Sequence, residues 1–246
     1  DGAVIPGLAK SWEISEDGTV YIFHLNSAVT FHDGSTMDAN DVKFSLDRAR
    51  AEDSTNAQKA LFSGIKNVEV LASDKVKVTL ASPNGSFLFN MAWGDAVIVA
   101  PETIDDIKTN PVGTGAFKFS NWVQGDKIEL LRNEEYWGKP AHLETATFKF
   151  ISDPSAAFSA MMAQDIDAFA GFPAPENLAQ FEADNRFQVL VGNTEGETIL
   201  STNNKMPPLD NVKVRKAIAH AIDRQAIIDG AMSVSYTHLT LPTIQP

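Results

Sequence analysis

A tight hairpin signal near the start of the chain constrains the fold most. Apolar and polar residues alternate over residues 11–15, a mostly apolar segment returns at residues 20–25, and Asp17-Gly18 lies between the two segments. Glycine adopts a positive φ without a Cβ clash, so an Asp-Gly pair between two such segments is typical of a β-hairpin turn. The chain is therefore expected to begin with two paired strands.

Helical and strand-like segments alternate along the rest of the chain. Asp38 is expected to cap a helix that contains Val42 and Leu46, and Asp153-Pro154 to begin another, because Asp accepts bonds from the first turn and Pro is tolerated there. The further expected elements are a hairpin around Val68–Val70 and Val76–Leu80, a buried helix at Phe87–Trp93, strands at 116–120, 127–132, 145–151, 187–191 and 198–202, and a helix capped by Asp210 or Asn211. This mixture predicts an α/β or α+β class.

Composition excludes several kinds of protein. Against 20 Lys and Arg stand 32 Asp and Glu, which gives a net charge of −12, so binding to phosphate backbones or anionic membranes is disfavoured. No apolar run approaches the roughly 20 residues of a membrane helix. Cysteine is absent, which excludes disulfides, thiolate catalysis and cysteine-ligated zinc.

Searches for catalytic and cofactor motifs give no match. His24 lies in an apolar strand and is expected to be structural, and no third metal ligand accompanies His24 and His32. Gly113-Thr114-Gly115 is followed by a strand rather than a helix, unlike a dinucleotide-binding loop. Phosphate-loop and nucleophile-elbow motifs are also missing. The sequence predicts no metal, no cofactor and no enzyme activity.

One of the four tryptophans is expected to face a ligand. Trp12, Trp122 and Trp137 follow or interrupt strand-like segments and are expected to pack in the core. Trp93 is followed directly by Gly94, which places an aromatic face at the mouth of a loop. Aromatic side chains often form the walls of ligand sites, so Trp93 is a candidate binding residue.

Seven short motifs follow one another in the order of a known family. They are VIPGLAxSW at 4–12, DGxxYxFHL at 17–25, FHDG at 31–34, AxDVxFS at 39–45, PVGTGAF at 111–117, RNxxYWG at 132–138 and PPLDNVKVRKA at 207–217. In this respect the chain resembles the dipeptide/oligopeptide/nickel-binding family (family 5) of extracytoplasmic solute-binding proteins that serve ABC importers. The resemblance extends from Val4 to about Met232.

The resemblance implies an α/β, two-lobed fold of the periplasmic-binding-protein type (type II), truncated within its second lobe. The first lobe would comprise residues 1–33 and 111–203, with an inserted subdomain at 34–110. The crossing to the second lobe and its start would lie at 204–232, and the charged anchors for ligand would lie beyond the chain. Residues 233–246 read like a translated sequencing adapter and are expected to be a cloning scar, with a Thr-rich strand as the alternative.

The resemblance also implies a function. A member of the family would capture short peptides or similar small solutes and deliver them to an ABC permease, as a monomer without a cofactor. It would do so in the periplasm, or as a cell-surface lipoprotein in a Gram-positive bacterium. The alternatives are a nickel chelate, a sugar or an opine as the ligand, or the same fold as the sensory domain of a transcription regulator.

The resemblance places five residues of this chain on the ligand-facing wall of the first lobe. They are Trp93 and Gly94 after one helix, Gly171 and Phe172 in a loop, and Asn203 at the end of a strand. The expected contacts come from aromatic faces, backbone groups and one side-chain amide. No catalytic or metal role is expected for any of the five.

The glycines of the PVGTGAF motif are not expected to contact ligand. Gly113 and Gly115 precede a strand, so we interpret the segment as a turn that packs against the backbone. Thr202 occupies a position where a tyrosine is common in the family, so an aromatic contact is expected to be lost there.

Overall fold

The structure is a computed structural model that describes residues 3–192 and 199–227. The chain divides into two compact units, Asp1–Phe150 (unit 1) and Ile151–Pro246 (unit 2). None of the helices within the described ranges combines the length and the apolar character that a membrane crossing requires. The expected scar at 233–246 lies outside the described residues.

Unit 1 contains a four-stranded antiparallel sheet built from the two expected hairpins. Its strands are β1 (Ala9–Ile14), β2 (Val20–Leu25), β3 (Ile65–Ala72) and β4 (Lys75–Leu80), in the order β1-β2-β4-β3. Gly18 in the first turn has a φ of +66°, which explains the glycine at this position. Both hairpin predictions are confirmed.

The long helix of unit 1 begins where the sequence predicts. Helix α1 (Ala39–Arg50) follows Asp38, whose carboxylate accepts a bond from the Asn40 amide at 2.6 Å. The Asp41 carboxylate accepts from the Asp38 amide at 2.7 Å, which completes a capping box. A short 3-10 helix (Lys59–Phe62) follows α1. The start of α1 is thus fixed by side-chain oxygens close in sequence.

The core of unit 1 lies between α1 and the four-stranded sheet. Strand β4 has the alternating pattern of a half-buried strand, with Val76, Val78 and Leu80 buried. Helix α1 contributes Val42 and Leu46 from one face. The largest side chains that are fully buried in this core are Phe62, Phe87, Val29, Val68, Val76 and Val78.

The expected buried helix at 87–93 is correct in type but wrong in burial. Helix α2 (Phe87–Met91) is a short turn in which Phe87 is 1% exposed. Phe89 is 46% exposed and Trp93 is 48% exposed. Phe89 and Trp93 do not lie at the i+3 or i+4 positions that share a helix face with Phe87. A core contact at Phe87 therefore does not bury the whole apolar segment at 87–93.

A second sheet completes unit 1. Its three antiparallel strands are β5 (Phe117–Val123), β6 (Lys127–Arg132) and β7 (Thr145–Lys149), in chain order. Gly125 closes the turn between the first two strands with a φ of +78°. The three strands confirm the predicted ones: β6 has the predicted bounds, and the ends of the other two differ by at most three residues.

The regular secondary structure in the described part of unit 2 consists of helices joined by irregular segments. Asp153 caps its first helix by accepting a bond from the Ala156 amide at 2.7 Å, as predicted. Asn211, not Asp210, caps the later long helix, with its side-chain oxygen 2.9 Å from the Lys213 amide. The helices are α3 (Pro154–Met162), α4 (Leu178–Glu182), α5 (Val212–Ala221) and α6 (Arg224–Ile227), with a 3-10 turn at Pro175–Asn177.

Two predicted strands are wrong. Residues 187–191 and the described part of 198–202, residues 199–202, have no strand structure. Phe187 instead packs its ring 5.0 Å from the ring of Phe181. A β-rich composition becomes a strand only when a partner strand is available, and the aromatic contact takes its place here.

Candidate functional site

Trp93 forms an exposed aromatic surface at the end of α2. Its ring lies 5.4 Å from that of Phe89, at an interplanar angle of 55°. Gly94 follows, and a Cβ added there would meet no atom within 4 Å, so the backbone beside the indole is open. That the indole and this backbone contact a ligand stays a prediction.

The segment after Trp93 is anchored at two points. The Asn56 side-chain amide donates to the carbonyl of Asp95 at 2.9 Å. Further along, the buried hydroxyl of Ser45 accepts from the Val99 amide at 2.9 Å and donates to the Asp41 carbonyl at 2.7 Å. The loop that carries the indole is therefore tied to the body of unit 1.

An apolar groove of about 360 Å³ is lined in part by residues of α2. It runs between residues 4–9, the sheet, α1 and residues 88–98. Its lining consists of Val4, Ile5, Pro6, Gly7, Leu8, Ala9, Trp12, Phe23, Leu25, Val42, Leu46, Leu88, Met91, Ala92, Ala96 and Ile98. No charged side chain lines it, so it offers no partner to the charged ends of a peptide. Sequence reasoning missed this groove, and the apolar run at Val4–Leu8 was the available signal.

The other three tryptophans differ from one another in burial. Trp12 lines the apolar groove and is half-buried. Trp137 packs against the core and donates from Nε1 to the Thr114 carbonyl at 2.9 Å. Trp122 is 42% exposed on β5, so its predicted core position is wrong. A strand position alone does not decide which sheet face is covered.

Gly171 and Phe172 lie in a loop of unit 2. Gly171 has a φ of +69°, a conformation that favours glycine. The Phe172 ring is half-buried and lies 5.4 Å from the ring of Phe169 and 5.3 Å from that of Phe181. Phe172 therefore belongs partly to an aromatic cluster of this unit and leaves only part of its ring for a ligand.

Asn203, also in unit 2, is exposed in a turn. Its side-chain oxygen accepts from the Lys205 amide at 3.1 Å, and its carbonyl accepts from the Met206 amide at 3.1 Å. Within the described ranges its Nδ2 group makes no hydrogen bond, which leaves a donor for a ligand. The predicted strand before it is absent, so Asn203 follows irregular chain instead.

The five predicted residues fall into two groups. Trp93 and Gly94 are neighbours in unit 1, whereas Gly171, Phe172 and Asn203 belong to unit 2. The first group offers an exposed indole beside open backbone, and the second offers part of a ring and an amide donor. That the five residues form one ligand wall stays a prediction.

His24 and the glycine turn serve structure. His24 Nε2 lies 2.7 Å from Glu13 Oε1, which confirms a hydrogen-bonded structural role. The Gly115 carbonyl accepts from the Asn133 side-chain amide at 3.2 Å, consistent with the interpretation of a packing turn. Among the residues described, no group of three or more His, Cys, Asp or Glu side chains is placed to hold a metal ion.

The most buried carboxylate of unit 1 also has a structural role. Burial raises the pKa of Asp41, the bond from the Asp38 amide opposes that shift, and the charges of Asp38 and Glu102 raise the pKa further. Since the same carboxylate closes the capping box of α1, its environment is explained without a reaction.

Comparison with known proteins identifies the family. The profile of the bacterial extracellular solute-binding proteins, family 5 Middle, matches residues 3–245. The chain belongs to this family. The resemblance drawn from the seven motifs is confirmed, and with it the expectation of the periplasmic-binding-protein fold.

Individual family 5 members show how much of such a protein the chain represents. The dipeptide-binding protein of Escherichia coli (strain K12) is 29% identical over 98% of this chain and 50% of its own length. The structure of NikZ from Campylobacter jejuni in complex with Ni(L-His) has a TM-score of 0.80 and 30% identity, over 92% of this chain and 46% of that one.

A third relative is the ABC transporter-associated periplasmic binding protein DppA from Helicobacter pylori, in complex with the peptide STSA. It gives a TM-score of 0.68 and 30% identity over 75% of this chain and 41% of that one. The chain thus spans about half the length of the relatives it matches. Each of the three relatives is described as a protein that binds a small solute.

Proposed function

We propose that the complete protein is the substrate-binding component of an ABC importer that captures short peptides or similar small solutes and releases them unchanged. The observation that carries the proposal is the family match over residues 3–245. Two of the three relatives are described with peptides, one as a dipeptide-binding protein and one with a bound tetrapeptide. Capture would work by closure of two lobes, with ligand shifting an open–closed equilibrium.

This chain would supply one wall of the cleft. Trp93 offers an aromatic face, Gly94 an open backbone, Phe172 part of a ring and Asn203 an amide donor. The backbone of Gly171 would complete the wall. The charged ends of a peptide need charged partners, and no charged side chain lines the apolar groove. Those anchors would belong to the second lobe.

The lobe assignment is part of the same proposal. Residues 1–33 and 111–203 would form the first lobe, 34–110 its inserted subdomain, and 204–232 the crossing to the second. The protein would act as a monomer, without cofactor or catalysis, and would deliver its ligand to a membrane permease. Its location would be extracytoplasmic, in the periplasm or as a surface lipoprotein.

A nickel chelate is the second candidate ligand. The likeness to NikZ in complex with Ni(L-His) favours it. In the described parts of the chain no group of side chains is placed to hold a metal ion, and a chelate carries its own donor atoms. Sugars and opines are further candidate ligands, and the sensory domain of a transcription regulator is a further candidate role.

Calorimetry on the full-length protein tests the ligand class. The titrants are a panel of di- to pentapeptides, Ni(L-His) and representative sugars and opines, and each ligand is analysed for products afterwards. The proposal expects submicromolar binding of peptides with every peptide recovered intact. Binding of Ni(L-His), a sugar or an opine alone would replace the ligand class, and turnover of any ligand would refute the non-enzymatic role.

A matched pair of substitutions tests the wall. Trp93→Ala should weaken binding of the preferred ligand about tenfold, since a lost aromatic contact is worth roughly 0.5–1.5 kcal/mol beyond its area. Trp122→Ala is the control, because this indole is similarly exposed but lies on β5. Equal affinities of the Trp93 variant and the native protein would remove Trp93 from the site.

A further inference from the structure

The imidazole of His32 is held at both ring nitrogens by one segment of backbone. The Gly113 amide donates to Nδ1 at 3.2 Å, and Nε2 donates to the Gly115 carbonyl at 3.0 Å. The His32 amide itself donates to the Gly113 carbonyl at 2.8 Å. Because Nδ1 accepts and Nε2 donates, this arrangement requires a neutral ring with its proton on Nε2.

These bonds join two different parts of unit 1. His32 directly follows Phe31, which is buried in the core beneath the four-stranded sheet. Residues 113–115 lead directly into β5 of the three-stranded sheet. Lys118 on β5 adds a fourth bond, from Nζ to the His32 carbonyl at 3.2 Å. His32 is therefore a direct connection between the two sheet regions.

The His32 ring also packs closely against the segment at 113–115. A Cβ added to Gly113 would lie 3.6 Å from Cε1 of His32, so the glycine backbone packs against the ring. Trp137 and Asn133 also hold the segment, by donating to the carbonyls of Thr114 and Gly115. Of these three side chains, only that of His32 can be titrated near neutral pH.

We propose that His32 is an acid-sensitive latch between the two sheet regions of unit 1. A proton taken from solvent by Nδ1 converts this acceptor into a donor that faces the Gly113 amide. Two N–H groups cannot bond to each other, so this bond is lost and the segment at 113–115 is loosened at Gly113, while Nε2–H can still donate to the Gly115 carbonyl. Val112 and Trp137 still pack against the core, so release loosens the segment without separating the sheets.

Charged groups around the ring bias its titration in opposite directions. Burial lowers the pKa of His32 first, the bond to the Gly115 carbonyl opposes this, Lys118 on β5 lowers the pKa further, and Asp33 on the same turn raises it. The net shift is downward from the ordinary 6.5. The pKa of His32 is thus lower when Nδ1 accepts from the Gly113 amide than when the ring is free. The bonded state is therefore fully stabilised above pH 6.5, and this stabilisation is lost as the pH falls below 6.5 towards the lowered pKa.

The latch does not depend on the proposed transport function. It rests on the bonds of one ring, and the ligand of the complete protein does not enter the argument. The latch can therefore be refuted while the transport proposal holds, and the transport proposal can be refuted while the latch holds.

Amide hydrogen exchange of the 246-residue chain, followed by NMR between pH 7.5 and 5.0, tests the latch. After correction for intrinsic exchange, protection of the Gly113 and His32 amides should fall by up to about tenfold per pH unit below pH 6.5. In His32→Asn, an amide oxygen replaces Nδ1 as the acceptor and cannot titrate, so protection should not change with pH. The control His142→Asn alters a histidine elsewhere in unit 1 and should behave like the native chain.

Two outcomes overturn the latch. One is the same pH dependence in His32→Asn as in the native chain. The other is a direct NMR observation of the native imidazole with its proton on Nδ1 above pH 7. The second measurement needs no variant, so it decides the matter even if His32→Asn does not fold. A ring protonated on Nε2, with release of the Gly113 amide at the midpoint of its titration, supports the proposal.

Discussion

Replacing Ser45 by alanine removes a buried connection between α1 and the segment that follows Trp93. The Ser45 hydroxyl accepts from the Val99 amide at 2.9 Å, and both residues are buried. Alanine cannot accept this bond, and there is no access for water to replace it. The substitution therefore leaves a buried N–H group without a partner.

The expected cost follows from two opposing effects. An unsatisfied buried donor costs about 1–3 kcal/mol. Alanine has a higher helix propensity than serine by roughly 0.5 kcal/mol, which acts in the other direction at this position of α1. The net expectation is a loss of about 0.5–2.5 kcal/mol in the free energy of unfolding.

Urea unfolding followed by tryptophan fluorescence measures this loss of stability in unit 1. All four tryptophans, Trp12, Trp93, Trp122 and Trp137, lie in unit 1, so their emission reports that unit. The midpoint should fall with an unchanged slope, as for a change in stability alone.

Ser63→Ala is the matched control. Its hydroxyl donates to the Ala60 carbonyl at 2.7 Å but is exposed, so water can replace the bond, and the change should stay within about 0.5 kcal/mol. The reasoning is refuted if Ser45→Ala and Ser63→Ala lower the stability equally. The buried bond would then contribute nothing beyond an exposed one.

Three further substitutions test other parts of the fold. Phe62→Ala should cost unit 1 about 3–5 kcal/mol by the same assay, because the ring is fully buried, and a loss below about 1 kcal/mol would contradict that packing. Burial raises the pKa of Asp47, but Lys43 and Arg50 outweigh it and hold the pKa below 3.8. The contribution of Asp47 to the free energy of unfolding is therefore fully present above pH 3.8 and is lost as the pH falls through its lowered pKa. In Asp47→Asn, the free energy of unfolding should depend less on pH in this acid range. Asp153→Ala should destabilise α3 by about 0.5–2 kcal/mol, visible as faster amide exchange in its first turn, and unchanged exchange there would remove the cap.

Elements with local signals could be predicted from the sequence. The Asp17-Gly18 turn fixes the first hairpin because the glycine backbone satisfies a left-handed position. Asp38 and Asp153 cap their helices with bonds to residues two or three positions ahead. Each of these signals involves partners that are close in the chain, which is why they can be found without a structure.

Features that depend on distant partners could not be predicted. Residues 187–191 have the composition of a strand, but the structure pairs Phe187 with another ring instead. Trp122 is expected to follow the strand at 116–120 and pack in the core, yet β5 extends to Val123 and the indole is 42% exposed. Sequence alternation indicates that a face is apolar, and only the tertiary arrangement determines whether it is covered.

The candidate site shows the same division. The exposure of Trp93 could be predicted only in part, since Gly94 indicates a loop mouth while the apolar run at 87–93 indicates burial. The apolar groove could not be predicted, since its walls come from residues 4–9 and 88–98. The half-burial of Phe172 depends on Phe169 and Phe181, and only the structure brings these rings together.

The two anchors behind Trp93 have a consequence for the thermodynamics of any contact made there. Because Asn56 holds Asp95 and Ser45 holds Val99, the loop has already lost much of its conformational freedom before a ligand arrives. A ligand that packs on the indole would therefore meet a preorganised surface and lose little ordering entropy. Differences in affinity among ligands at this position should then arise from contacts and desolvation, and appear mainly as differences in dissociation rate.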